Sequence, residues 1–267
     1  MTNRVIVDVG ATNADWVVSG GKTIRTEGFN LAHTPREKLE IILDGAAAKI
    51  GPGVTELHFF AAGLVGESPV DLGRWFPSAD IEYASDMVAA ARALFGKDKG
   101  IAAILGTGAN TCLWDGEKIS AKIPSGGFIL GDDGSASVLG RLFVADWLKG
   151  LVPAEIARAF EAQFGADYPT VVKRVYGGEA PARYLGSFAP FILDHYADPY
   201  IKELVDNNFR RFFQRTVLPY GNWPLGICGG FGWAYREIIG RIGEECGVEI
   251  SAIIKSPLEG LAKYYGI

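Results

Sequence analysis

Apolar residues fall first in short runs and later at helical spacing. Val5, Ile6, Val7 and Val9 lead into Gly10-Ala11-Thr12, and Trp16 to Val18 lead to a glycine at Gly20. That layout predicts a buried strand, a tight turn on Gly10 to Thr12, and a second strand. It returns between Gly100 and Gly116, with an apolar run Ile101 to Leu105, a turn on Gly106-Thr107-Gly108-Ala109, and a strand Asn110 to Trp114 closed by Asp115-Gly116. A third short strand follows each copy, Thr23 to Glu27 and then Lys118 to Ile123. A strand-turn-strand-strand unit repeated at a fixed offset predicts two related lobes. With no side chain at Gly106 or Gly108, backbone N–H groups and the Thr107 hydroxyl can converge on one anion, as in phosphate cradles. The same residues also suit a plain hairpin turn.

Between the copies, a helix is predicted from Pro35 to Ile50, stopped by Gly51-Pro52-Gly53. A strand Leu57 to Ala62 runs into Gly63. A helix Val70 to Phe76, a strand Ile81 to Tyr83 and a helix Met87 to Phe95 follow, the last with Asp86 at its start. This order is an α/β pattern. Beyond the second copy the chain reads as mostly helical: Ser135 to Lys149, Pro153 to Phe164, Tyr168 to Val175, Phe188 to His195 and Pro199 to Leu218. A strand Leu225 to Cys228 then meets Gly229-Gly230, a helix runs through Trp233 to Glu245, and a short strand near Glu249 to Ala252 precedes a last helix, Pro257 to Tyr265.

Charge and cysteine usage narrow the function. The 267 residues carry a net charge of −5 and no basic stripe, which speaks against a nucleic-acid partner. Phosphate sites on such a chain need a metal ion or backbone amides. Cys112, Cys228 and Cys246 are odd in number and widely spaced, as expected of free thiols in a reducing cytoplasm. No apolar run approaches the roughly 20 residues of a membrane span, and no signal peptide precedes Val5, so a cytoplasmic protein without a membrane partner is expected. Gly21-Lys22-Thr23 looks like the end of a Walker A loop, but the required first glycine would fall at Trp16. His33, His58 and His195 are scattered and read as structural.

Phosphoryl transfer requires donors around the phosphates, a carboxylate that positions Mg2+, and a base for the attacking hydroxyl. Asp8, beside the first turn, can hold metal-bound water or cap a β-turn. Thr12 and Thr107 offer one hydroxyl in each turn. Asp86, between a strand and a helix, fits an N-cap and also a general base at a strand-end crevice. Asp132 and Asp133, in Gly131-Asp-Asp-Gly-Ser135, stand at another helix start, where paired acids can accept sugar hydroxyls.

Taken together these residues resemble the N-acetylglucosamine kinase family of the BadF/BadG-type ATPases, within the acetate kinase, sugar kinase, Hsp70 and actin superfamily, over the whole chain. Asp8-Val-Gly-Ala-Thr12 is similar to the first phosphate motif and Gly106-Thr-Gly-Ala-Asn110 to the second. Gly131 to Ser135 is similar to G-D-E-G-S, and Gly229-Gly230 stands where the adenosine motif is expected. The resemblance implies two actin-like (RNase H-like) lobes: residues 1–104 with the last helix, 257–267, packed back on them, and residues 105–256. ATP and Mg2+ would bind between the lobes. The implied reaction is phosphorylation of an N-acetylated amino sugar, by default N-acetylglucosamine at its 6-hydroxyl, with N-acetylmuramic acid or glucosamine as alternatives. Asp86 matches the catalytic base and Asp8 the metal-binding acid. Asn30, Asp132 and Gly127 match sugar-binding positions, and Gly10, Thr12, Gly106, Thr107, Gly108, Gly229 and Gly230 match nucleotide-binding ones. A homodimer through the second lobe is also implied. Ala11, Asn13, Ala109 and Asp133 depart from the usual residues, while Asp8, Thr12, Asp86 and Thr107 are retained. Two other classes compete. An activase-type ATPase would carry cluster-ligating cysteines, a pattern Cys112, Cys228 and Cys246 lack. A non-catalytic sugar-binding protein draws only on Ala11 and Asn13.

Overall fold

The computed structural model describes residues 3–10, 13–29, 34–62, 64 and 70–267. The chain divides into two compact units, one of Met1–Asp98, Asp115–Lys118 and Ser256–Ile267, the other of Lys99–Trp114 and Ile119–Lys255. The first unit contains β1 (Arg4–Val9), β2 (Asn13–Val18), β3 (Lys22–Glu27), α1 (Arg36–Ile50), β4 (Glu56–Ala61), β5 (Asp80–Ser85) and α2 (Asp86–Phe95). The second begins with β6 (Gly100–Leu105), β7 (Ala109–Trp114) and β8 (Ile119–Ile123). Seven helices follow: α3 (Gly127–Leu130), α4 (Ala136–Trp147), α5 (Ala154–Phe164), α6 (Tyr168–Tyr176), α7 (Pro181–Gly186), α8 (Ala189–Asp194) and α9 (Pro199–Phe212). Then come β9 (Leu225–Cys228), α10 (Gly230–Ala234), α11 (Arg236–Glu245) and β10 (Ile250–Ile254), and α12 (Leu258–Tyr265) returns to the first unit.

The repeat is deeper than the turn motif. Each unit holds a five-stranded mixed sheet, in the orders β3-β2-β1-β4-β5 and β8-β7-β6-β9-β10. In both, the first three strands are antiparallel neighbours and the last two join parallel to the first. This is an α/β architecture built twice, with the more helical second unit expected from the sequence. Since β6 is the central strand of its sheet, the second unit starts at Lys99 rather than at residue 105.

Strand alternation sorts the core of the first unit. Val5, Val7 and Val9 bury one face with Leu39, Leu43 and Ala46 of α1, while Ile6 and Phe60 pack on the other with Ala89 of α2 and Leu261 of α12. In the second unit, Phe160 stands edge-on to Phe143 and Phe188, at centroid separations of 5.0 and 4.9 Å. Among the described residues, no helix is long and apolar enough to cross a membrane.

Three predicted helices differ from expectation, two for local reasons and one through a distant contact. Where Val70 to Phe76 was read as a helix, only a 3-10 turn, Leu72–Arg74, forms; Asp71 caps it and Gly73 and Pro77 limit it. The helix expected to reach Leu218 is α-helical only to Phe212, then π-helical over Phe213–Val217. There Thr216 Oγ1 donates to Phe212 O at 2.6 Å, a side-chain bond that competes with the regular ladder. The helix through Trp233 breaks at Tyr235, which is buried and whose hydroxyl donates to Ala189 O at 2.6 Å.

A polar cluster ties α12 to the first sheet. Glu82 of β5 accepts from Arg92 of α2 (2.6 Å) and from the Tyr265 hydroxyl (2.8 Å), and shares a 2.9 Å hydrogen bond with His58 Nδ1. The His58 ring stacks on Tyr265 at 3.7 Å. Burial raises the Glu82 pKa, but the hydrogen bonds from His58, Arg92 and Tyr265 outweigh it and hold the carboxyl at about 2. Since the folded pKa lies below the ordinary 4.5, this stabilisation is present above 4.5 and lost as the pH falls toward 2. Glu82→Gln is expected to cost about 1 to 3 kcal/mol at pH 7 and much less at pH 3, read by denaturant titration at both values. Equal losses at the two pH values would show that packing, and not charge, holds the cluster.

Candidate active site

Parallel strands aim their carboxyl ends at one edge of each sheet, where ligands of open α/β folds gather. In the first unit that edge carries Asp8 and Asp86. Asp8 lies opposite Asp15 of β2 and Phe60 of β4, so its carboxyl leaves the sheet on the face of Ile6 and Phe60, the side that α2 covers. Asp86 is the first residue of α2. It is not the N-cap: Ser85 takes that role, its Oγ accepting from Val88 N at 3.4 Å. Asp86 Oδ1 accepts from Met87 N at 2.9 Å.

Burial, then the negative charges of Asp86 and Asp15, push the Asp8 carboxyl up to about 7. Asp15 is itself paired with Arg25 at 2.6 Å, whereas Asp8 has no such cation beside it among the described residues. A buried carboxyl repelled by two neighbours is the setting in which a bound divalent cation relieves strain. No cluster of three or more metal-ligating side chains occurs among the described residues. Asp8 with Asp86 at the same sheet edge suits Mg2+, which takes one or two carboxylates with water and phosphate oxygens. Gly10 closes the start of its turn by donating to Asn13 O at 3.0 Å. Thr12 and Asn30 lie outside the described residues.

The glycine turn of the second unit rests on the start of α4. Gly106 N donates to Gly108 O at 3.0 Å, and Gly106 O and Thr107 O accept from Ala136 N and Ser137 N at 3.1 and 3.0 Å. A Cβ added to Gly106 would meet nothing within 4 Å, so that side of the turn is open to a ligand. Across Gly108 lies Asp132, whose Oδ2 would stand 2.9 Å from a Cβ there. Asp132 is the one non-glycine residue at positive φ (52°) among those described, a left-handed conformation costing roughly 1 kcal/mol or more. Its pKa is raised by burial and by Asp133, against a lowering bond from the Ala109 amide. With Asn110 and Ser125 it lines one small cleft.

Asp133 lines the same cleft but is buried, with Arg211 at 3.1 Å on Oδ1 and Arg215 at 3.0 Å on Oδ2, so both of its oxygens are already ion-paired. Gly131 is required by space, since a Cβ would fall 1.7 Å from Ser125 O. Gly127 opens α3 in the same loop.

Gly229 and Gly230 join β9 to α10. Gly229 has φ 132° and its Cβ would lie 2.3 Å from Leu105 O, so only glycine fits beside the end of β6. Gly230 is open on its Cβ side. The structure thus sets Gly229 next to the Gly106 turn.

Sequence reasoning missed a cavity of about 590 Å3 lined by Lys173, Arg174, Arg183, Tyr184 and Ser187 around Gly177-Gly178. Ser187 of its lining follows Gly186, where an added Cβ would be 3.6 Å from the Thr107 methyl. Arg174 lies over the Tyr184 ring, 5.2 Å from its centroid. The available signal was three cations flanking a diglycine in a net acidic chain.

No protein-family model matches the sequence, and no curated protein matches it. Among solved structures, the putative N-acetylglucosamine kinase of Porphyromonas gingivalis is 34% identical over 99% of this chain and 98% of its own, with a TM-score of 0.89. The putative N-acetylglucosamine kinase of Chromobacterium violaceum is 21% identical over 99% of both chains, with a TM-score of 0.70. A ROK hexokinase from Thermus thermophilus is 14% identical over 98% of both, with a TM-score of 0.53. The last two show a common fold.

Proposed function

Because the chain belongs to the N-acetylglucosamine kinase family of the actin-like superfamily, we propose that it uses ATP to phosphorylate an amino sugar, with the 6-hydroxyl of N-acetylglucosamine as the acceptor. The observation that carries this reading is the placement of Asp8 and Asp86 together at the carboxyl edge of the first sheet. Asp86 orients the sugar hydroxyl and takes its proton as the new oxygen–phosphorus bond forms and the bond to the departing ADP oxygen breaks. Asp8 would hold Mg2+, which would supply charge neutralisation on the phosphates.

In the second unit, the open side of Gly106, the Thr107 hydroxyl and Gly108 cradle phosphate, with Gly10 and Thr12 doing so in the first. Gly229 and Gly230 let the adenosine approach the backbone. Asp132, Gly127 and Asn30 hold the sugar, with Asn110 and Ser125 beside Asp132. A homodimer through the second unit belongs to the same reading and is tested by sedimentation.

An ADP-release assay across N-acetylglucosamine, N-acetylmuramic acid, glucosamine and glucose decides the matter. N-acetylglucosamine should give the highest kcat/KM, and no turnover of any sugar would overturn the proposal. Asp132→Asn should raise the sugar KM more than it lowers kcat, because its bonds to the sugar are made in ground and transition state alike. A loss confined to kcat would move Asp132 into the chemical step.

A further inference from the structure

A groove of about 350 Å3 lies between α3, α4 and α6 of the second unit. Its floor is core, formed by Val144, Val171 and Leu185, and Ile129 and Tyr176 stand at its rim with 70% and 86% of their surface exposed. One charged residue lines it, Arg141 of α4. Arg141 Nε is buried without a hydrogen-bond partner, and the side chain makes no ion pair among the described residues. Other arginines of this unit behave differently: Arg211, Arg215 and Arg241 each sit within 3.1 Å of a carboxylate. Arg141 is half-buried, and a buried guanidinium nitrogen without an acceptor beside apolar walls can take one from a ligand. The volume is at the small end of small-molecule sites, roughly 300 to 1,000 Å3, so it suits a compact ligand and not a docked helix.

We propose that this groove binds an amphipathic carboxylate, a ligand with a medium-length apolar body seated on Val144, Val171 and Leu185 and a carboxylate paired with Arg141. The proposed catalytic reading assigns no role to this groove. Phe128 and Ile129 line it from α3, the helix that starts at Gly127 and leads to Gly131 and Asp132, so an occupant bears on the loop assigned to the sugar. That coupling rests on the proposed function, whereas binding does not.

Calorimetric titration with octanoate and with octanol, which has the same body and no charge, tests the binding directly. Octanoate should bind at least about ten-fold more tightly than octanol, and Arg141→Gln should erase the difference while leaving octanol unchanged. Val175→Trp, which fills the groove, should abolish both. Equal binding of the two probes, or no binding by either, overturns the proposal. So does a dimer that Ile129→Arg converts to monomer, since a second copy would then cover the groove. If Arg141→Gln fails to fold, the contrast between the probes on the unmodified protein still decides. A sugar kinase assay with saturating octanoate then reads the coupling as a changed sugar KM, and an unchanged KM removes the coupling.

Discussion

Asp86→Asn should lower kcat by about 100-fold or more while leaving the sugar KM and the melting temperature nearly unchanged. The structure sharpens this expectation, because Ser85 and not Asp86 caps α2. An asparagine keeps an oxygen that can accept from Met87 N, the bond now made at 2.9 Å, so the helix start is preserved. It loses the basic carboxylate that takes the hydroxyl proton. Steady-state kinetics with thermal unfolding of the same preparation separates the two effects. Near wild-type turnover would require another base, and the next candidate is Asp132, since Arg211 and Arg215 already hold both oxygens of Asp133.

The second large effect runs in opposite directions for activity and stability. Asp8→Asn should abolish most turnover and yet stabilise the unliganded protein at pH 8. Its folded pKa of about 7 lies above the ordinary 3.8, so the folded state binds a proton that the unfolded chain releases. The carboxylate therefore costs nothing below the ordinary value. Its penalty grows as the pH rises through the interval and is complete above about 7. Removing the charge should add about 2 to 4 kcal/mol at pH 8 and nothing near pH 3.5. Unfolding by denaturant at the two pH values, without added Mg2+, measures the difference. A variant that is less stable at pH 8 would mean that the carboxylate makes compensating contacts. Added Mg2+ should narrow the gap by stabilising only the wild type, as expected of a group kept under strain for its function.

Much of this fold was readable because it is written in local patterns. The apolar runs Val5 to Val9 and Ile101 to Leu105, each followed by a glycine turn, identified the central strands of both sheets. Strand partners were not readable, since pairing of β1 with β4, or β6 with β9, joins residues far apart in sequence. Helices failed where one distant contact overrode propensity, as at Tyr235, whose hydroxyl is fixed by Ala189 O. α7 went unseen because Pro181 and Gly186 frame it like a loop, and because the glycine that lets it pack close is Gly140 of α4, where an added Cβ would fall 2.0 Å from Leu185 O. At the site, motif residues such as Gly131 and Gly229 were legible, and their reasons turned out to be spatial. The roles of Asp132 and Asp133 were not separable in sequence, because the arginines that claim Asp133 lie on a π-helical segment and the turn before it.

The two glycine turns differ in length by one residue. Val9 pairs with Ala14 across four intervening residues, and Leu105 pairs with Ala109 across three. A one-residue change in a hairpin normally throws each later side chain to the wrong face. Here the β7–β8 pair carries a bulge at Leu113/Trp114, while β2–β3 runs without one. That extra residue, Ser120 of β8, lies one hairpin beyond the shorter turn, and the β6–β7 register itself is regular. The two sheets therefore superpose strand for strand only with a one-residue gap at the turn. An alignment of the halves at a constant offset would match Trp16 with Cys112, whereas the partner of Ala103, which answers to Val7, is Thr111.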